Sequence, residues 1–392
     1  MSFDRVGQSA VSNRWEGVVI GAGPAGSLAA RQLALAGRDI LIVDRSSFPR
    51  TKVCGACVNG HAISVLESVG LGDLMSQLGA LPVDRFQLWI DGRHWTVRLP
   101  AGVAVSRMAL DAELLRAAQL AGARFMGETS AAVGKPAGGY RRVRLSQGEA
   151  VIEIEARTVI AADGLGHPSL AGHPEFRERR TVDSRLGCGT RVEAVPDYFV
   201  DGVIYMCVSP SGYVGLVRQE DGSLNVAAAL EPELVRRAGG LAALAGSVMH
   251  DAGGPSVPGL SNYHWQGTPL LTQRSRRVFG HRLFLVGDAA GYVEPLTGEG
   301  IAWALESAAA VAPLADRGIA AWSGELGLQW QAAYACVIER RQNICRWLAR
   351  AAKYPSFFRA GMRVTEWFPS IADRLVKQLN APTAIEKPRG AV

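Results

Sequence analysis

Gly17-Val18-Val19-Ile20 runs straight into Gly21-Ala22-Gly23-Pro24-Ala25-Gly26 and then into a helical stretch over residues 27–36, which dictates a strand, a tight turn and a helix in immediate succession. Each glycine has its own task. Gly21 permits the turn, Gly23 removes the side chain that would keep a pyrophosphate off the backbone, and Gly26 lets helix and strand pack closely. With Pro24 and Ala25 between them, the free N–H groups and positive dipole end of the helix suit a phosphate without any lysine nearby. A second strand over residues 39–43 ends at Asp44-Arg45, where this pattern wants a carboxylate for a ribose hydroxyl. The segment is a dinucleotide-binding fingerprint. By itself it does not separate FAD from NAD.

Length and composition narrow the class. A chain of 392 residues with 48% hydrophobic and 20% charged side chains can bury a large core and exceeds one ordinary domain. The net charge of +6 comes from 42 basic and 36 acidic residues spread without like-charge blocks, so no nucleic-acid partner is indicated. The charged stretch up to Glu16 lacks the apolar run of a signal peptide, and no apolar run reaches the length of a membrane span, so a cytoplasmic location is expected. Six cysteines in such a chain read as reduced thiols, and the histidines show no metal-ligand spacing; no metal is expected.

Strands and helices alternate up to about residue 128, as in α/β proteins. The strands at 85–90 and 94–99 around Asp91-Gly92, and a second β-rich stretch over residues 186–230, do not fit that alternation. Together they predict one antiparallel sheet inserted twice into the nucleotide-binding domain. The expected division is residues 15–80, 100–175 and 275–325 for the nucleotide domain, 81–99 and 176–274 for the sheet, and 326–392 for a helical C-terminal region with a loose tail. In that last region Trp347, Tyr354, Phe357, Phe358, Trp367 and Phe368 alternate with arginines and a lysine. They form either a cap on the sheet or an amphipathic surface that touches lipid or admits an apolar substrate.

Two later strands end on similar pairs: residues 156–162 on Asp163-Gly164, and residues 283–286 on Gly287-Asp288. With the opening fingerprint, this ordered trio resembles the flavoprotein superfamily of para-hydroxybenzoate hydroxylase, the geranylgeranyl reductases and the flavin-dependent halogenases. The resemblance spans roughly residues 15–310 and implies FAD, held without a covalent bond. It also implies that Asp288 hydrogen-bonds the ribityl chain, that Asp163-Gly164 frames the pyrophosphate and the nicotinamide path, and that Arg107 reaches the FAD backbone. The expected fold is a Rossmann-like FAD-binding domain of α/β class with the inserted sheet and a helical C-terminal region.

Phe48-Pro49-Arg50-Thr51-Lys52-Val53-Cys54-Gly55 looks like the Pro-Arg-x-Lys-x-Cys-Gly segment of the geranylgeranyl reductase group. It implies cationic contacts from Arg50 and Lys52 to the cofactor, with Cys54 and Gly55 close to the isoalloxazine. Cys54 and Cys57 also form a C-x-x-C pair, as in flavin disulfide reductases, but no second glycine fingerprint accompanies it, and Cys57 is expected to pack beside the flavin. Further on, Gly298-Glu299-Gly300-Ile301 feeds a helix whose free N–H groups suit the anionic pyrimidine edge of reduced flavin. Glu299 either caps that helix or faces substrate as acid or base.

The reductases' aromatic-x-Trp-x-Phe-Pro and the halogenases' Trp-x-Trp-x-Ile-Pro are both missing; the counterpart here is Gly212-Tyr213-Val214-Gly215-Leu216-Val217. Halogenation is therefore not expected, and Tyr213 becomes a substrate-facing candidate. Trp89, Tyr205 and Tyr213 are expected to feed an apolar cavity for a hydrophobic small molecule. The first expected activity is an NAD(P)H-using monooxygenase that hydroxylates a phenolic or polyketide-like ring through a flavin C4a-hydroperoxide. The alternative is a reductase acting on prenyl double bonds, with Cys54 shaping the site.

Overall fold

In the computed structural model, which describes residues 12–100, 102–181, 183–294 and 298–351, the opening strand extends back to Arg14 and runs to Ile20. It lies between Ile40–Val43 and the second half of Ala150–Ala161, parallel to both. Leu283–Leu285 continues the sheet on one side and Arg124–Met126 on the other, again parallel. These strands are buried on both faces, which is why they read as unbroken apolar runs. Because they share a direction, the loops that follow them gather at one edge of the sheet.

Ala150–Ala161 is longer than the sequence suggested. Its first half carries an antiparallel hairpin, Ser130–Ala137 with Tyr140–Gln147, which the sequence reading did not pick out. Helix Pro24–Leu35 packs against helices Arg107–Leu120 and Gly300–Ala320, joining the two ends of the domain. The C-terminal helices belong to the same core. Trp330 of Gly324–Tyr334 is fully buried and donates from its indole nitrogen to the carbonyls of Val278 and Leu285, both at 3.1 Å. Tyr354, Phe357, Phe358, Trp367 and Phe368 lie outside the described residues; Trp347 is 72% exposed.

A second sheet of seven strands has the order Gln266–Leu270, Leu186–Val192, Leu224–Leu230, Gly212–Arg218, Val203–Ser209, Arg85–Ile90, Arg93–Arg98. As expected, two separate chain segments contribute to it, and Asp91 and Gly92 both take positive φ in the first hairpin's turn. One pairing differs from the expectation of an antiparallel sheet. Arg85–Ile90 lies parallel to Val203–Ser209, since the two are joined by a crossover through the nucleotide domain rather than by a hairpin.

Strand alternation sends Tyr205, Cys207, Val214 and Leu216 to one face, where helix Leu241–Ala252 covers them. Met206, Val208 and Tyr213 point the other way, with Leu88 and Ile90. That second face looks toward the loop edge of the nucleotide-binding sheet.

Candidate functional site

Between the loop edge and the second sheet lies a cavity of about 540 Å³. The opening fingerprint forms its floor. Gly21 has φ +101°, and a Cβ there would sit 2.4 Å from the carbonyl of Ala162; a Cβ at Gly26 would lie 1.8 Å from the carbonyl oxygen of Gly21. At Gly23 the space is open, and a Cβ would meet only Arg50 Nη2 at 3.6 Å and Arg107 Nη2 at 3.9 Å. Two of the three glycines thus hold the turn against its own backbone, and the third leaves room for a ligand between the helix start and two guanidinium groups. No acidic residue occupies the first turn of that helix, and its first N–H groups have no partner within the helix.

A buried carboxylate organises those guanidiniums. Asp111, fully inaccessible, accepts two hydrogen bonds from Arg107, at 2.7 and 2.8 Å, and one of its oxygens lies 3.1 Å from Arg50 Nη1. Burial alone would lower the pKa of Arg107, but Asp111 and the neighbouring Cys54 thiol raise it above the ordinary value. The sequence reading named Arg107 and Arg50 without this anchor. Its signal was the i, i+4 spacing of Arg107 and Asp111 on one helix.

Asp44 borders the cavity with both oxygens engaged: Oδ2 accepts from Ala22 N at 2.8 Å and Oδ1 from Ser46 N at 2.9 Å. Arg45 stands exposed beside it. Asp163 accepts from Ser169 N at 2.8 Å through Oδ2 while its Oδ1 is buried without a partner; burial raises its pKa against that hydrogen bond. Gly164, with φ +82°, brings its backbone close to Lys52, whose Nζ would lie 3.1 Å from a Cβ there. Lys52 presents its surface to the cavity while the walls enclose it closely. This enclosure, and then Arg107 and Arg50, lower its pKa; Asp288 and Asp111 oppose them. Asp288, following Gly287 in a short 3₁₀ turn, is raised by burial against the pull of Lys52 and Arg107.

Cys54, Gly55 and Cys57 line the same cavity, with both cysteines free thiols. Burial, and then the neighbouring Cys54, push the Cys57 thiol up to about 12. Cys57 is therefore expected to resist alkylation by iodoacetamide at pH 8, while the exposed Cys336 reacts; peptide mass spectrometry after a short pulse checks the order. Preferential labelling of Cys57 over Cys336 would contradict this arrangement.

Gly298, Gly300 and Ile301 border the cavity, with helix Gly300–Ala320 starting there. Glu299 does not border it. Its side chain makes no cap hydrogen bond and turns inward, 3.7 Å from Arg341, beside the buried pair His61–Glu306 at 3.0 Å. Both sequence readings of Glu299, as helix cap and as substrate-facing acid or base, are corrected: the carboxylate is held below the loop among buried charges.

Of the aromatics expected to feed the cavity, only Tyr213 lines it. Tyr205 points to the opposite face, where its hydroxyl donates to Tyr198 O and accepts from Val200 N, and Trp89 stacks on His94 with ring centroids 4.6 Å apart. The reason is strand register, which composition does not reveal. Tyr292, not singled out from sequence, lines the cavity with Tyr213. Burial, then the Glu294 charge, raise Tyr213 well above its ordinary pKa; Arg185, fully buried and bonded to Glu294 at 2.9 Å, stands 5.7 Å from its ring.

The donor set fits an FAD. A cleared backbone over Gly23, a helix start, three cationic side chains, Asp288 and a second helix start at Gly300 line one cavity, the donor set that a diphosphate ligand with a ring system requires. Residues 14–196 match the FAD binding domain family. Menaquinone reductase of Mycobacterium tuberculosis is 29% identical over 368 residues, covering 87% of this chain and 84% of the relative. Digeranylgeranylglycerophospholipid reductase 2 of Methanopyrus kandleri is 30% identical, covering 72% of each. The solved structure of the flavin-dependent brominase Bmp2 shares the fold, with a TM-score of 0.77 over 94% of this chain and 93% of that one at 15% identity. These matches and the cavity agree: the chain belongs to the FAD-dependent oxidoreductase superfamily of para-hydroxybenzoate hydroxylase and the geranylgeranyl reductases.

Proposed function

We propose that this oxidoreductase uses FAD to saturate carbon–carbon double bonds in an apolar, isoprenoid-type chain, with NAD(P)H as the transient electron donor. One observation carries the reading: the reductases match in sequence across most of both chains, whereas the brominase, at 15% identity, shares only the fold. This is the second of the two activities considered from the sequence.

When bound, FAD supplies the hydride chemistry. The chain's own residues do the rest. Gly23 and the helix start at Pro24 would hold the diphosphate, and Asp111 fixes Arg107 and Arg50 beside that space. Lys52 and Asp288 would hold the linking chain, and the backbone at Gly298–Ile301 would stabilise negative charge at the pyrimidine edge. The wall formed by Met206, Ala227, Ala228, Ala229 and Leu271 excludes water and accepts an apolar chain. Saturating a double bond takes a proton as well as a hydride. Tyr213 carries one at the cavity wall and keeps it through the physiological range, and Cys54 lines the same cavity. A substrate of this kind partitions into lipid, so peripheral membrane contact is part of the proposal; among the described residues no helix is long and apolar enough to cross a membrane.

The test is anaerobic. Holoenzyme reduced by NADPH or NADH is mixed with an unsaturated isoprenoid alcohol, which has no quinone ring to take the electrons and gain two hydrogens itself, and flavin absorbance and product mass are followed. The expected result is reoxidation of the flavin without oxygen and a product heavier by a pair of hydrogens per bond. Turnover that needs oxygen and places an oxygen atom in an aromatic product overturns the proposal in favour of hydroxylation.

A further inference from the structure

A second cavity, of about 440 Å³, opens on the nucleotide-binding domain and shares no lining residue with the first. Its wall is built from the hairpin Ser130–Ala137 with Tyr140–Gln147, the 3₁₀ turn Pro174–Phe176 and the turn at Gly280-His281. Three permanent cations line it, Lys135, Arg141 and Arg277, against one carboxylate, Glu175.

Arg141 sets this cavity apart. Its residue is 4% exposed, its Nη1 donates to the carbonyl of His281 at 3.0 Å, and its Nε is buried without a partner. The arginines enclosed around the FAD cavity rest on carboxylates: the buried Arg185 on Glu294, and the half-buried Arg107 and Arg50 on Asp111. Among the described residues Arg141 forms no such ion pair, and Glu175 acts on it only from beyond ion-pair distance. Glu175 is turned instead to His173, with Oε1 3.2 Å from Nδ1. A buried guanidinium with only one distant carboxylate, itself turned to a histidine, is poorly compensated, which a bound anion offsets through charge-assisted hydrogen bonds. Burial lowers the pKa of Arg141 against the charge of Glu175, and Arg282 and Arg141, after burial, lower that of His281.

We propose that this cavity is a binding site for the phosphate end of a small phosphorylated molecule, with Arg141 as its buried anchor and Lys135 and Arg277 as the exposed clamp. The volume exceeds that of inorganic phosphate, leaving space for an organic group beside Phe176 and His173. The ligand is distinct from FAD and from the substrate proposed above. The site stands or falls without reference to the reaction.

The experiment uses FAD-saturated holoenzyme, so that the first cavity is occupied, and titrates it with inorganic pyrophosphate by calorimetry. The expected result is one site whose affinity falls about tenfold or more in Arg141→Met, as loss of a charge-assisted pair predicts. The surface variant Lys135→Ser/Arg277→Ser is expected to weaken binding several-fold, with FAD content unchanged. It keeps the test decisive if Arg141→Met does not fold. No heat of binding at millimolar pyrophosphate overturns the proposal, as does an affinity that the surface variant leaves unaltered.

Discussion

Gly23→Val is expected to yield a folded, colourless protein, whereas Gly26→Ala is expected to damage the fold itself. The two positions lie in one six-residue motif, yet their surroundings differ. A Cβ at Gly23 points into open cavity, with two flexible guanidinium ends as its nearest contacts, so valine is tolerated by the chain and occupies the ground of the diphosphate. FAD affinity should fall about a hundredfold or more, equivalent to roughly 3 kcal/mol. A Cβ at Gly26 would stand 1.8 Å from the carbonyl oxygen of Gly21, a backbone atom that cannot move without opening the helix–strand contact. Overpacking against backbone at a buried site costs about 3 kcal/mol or more. Thermal melts of the apo-proteins and flavin absorbance after desalting separate the two effects. If Gly23→Val stays yellow, the diphosphate does not lie over that glycine.

Asp111→Ala is expected to be the most damaging single loss of charge. The carboxylate is fully buried, binds Arg107 through both oxygens and also serves Arg50. Its removal leaves guanidiniums uncompensated in a low-dielectric setting, which costs about 3–5 kcal/mol. Asp111→Asn keeps the shape and part of the hydrogen bonding, so it should lie between wild type and alanine in denaturant midpoint. Both variants should bind FAD more weakly, because Arg107 and Arg50 lose the group that aims them at Gly23. Equal midpoints for wild type and Asp111→Ala would refute the idea that one carboxylate holds this arrangement together.

The parts of the site that were legible in the sequence are those where backbone geometry dictates residue type. The glycines at 21, 23 and 26 announce a turn, a cleared surface and a close contact, and only a side chain missing from each position can meet all three demands. The ends of the strands around them were equally plain, because doubly buried strands leave continuous apolar runs, whereas Arg14–Ile20 and Ala150–Ala161 begin before those runs. Facing was not legible. Trp89 and Tyr205 occur in strands of the inserted sheet just as Tyr213 does, yet a register decided by distant partners turns the first two to the other side. Glu299 misled for a related reason, since the loop supplies backbone to the cavity while its side chain follows the helix axis into the buried group around His61 and Arg341. Arg141 gave no sign, because the sequence shows that a residue is cationic and not whether a carboxylate meets it.

The parallel seam between Arg85–Ile90 and Val203–Ser209 has a consequence for how the enzyme comes into being. Its two halves leave the ribosome more than a hundred residues apart, and the intervening chain is largely flavin bed. Closing so long a loop is entropically unfavourable until that bed has already drawn the ends together. The seam is therefore expected to close late in folding, once the segments between its two strands have drawn them together.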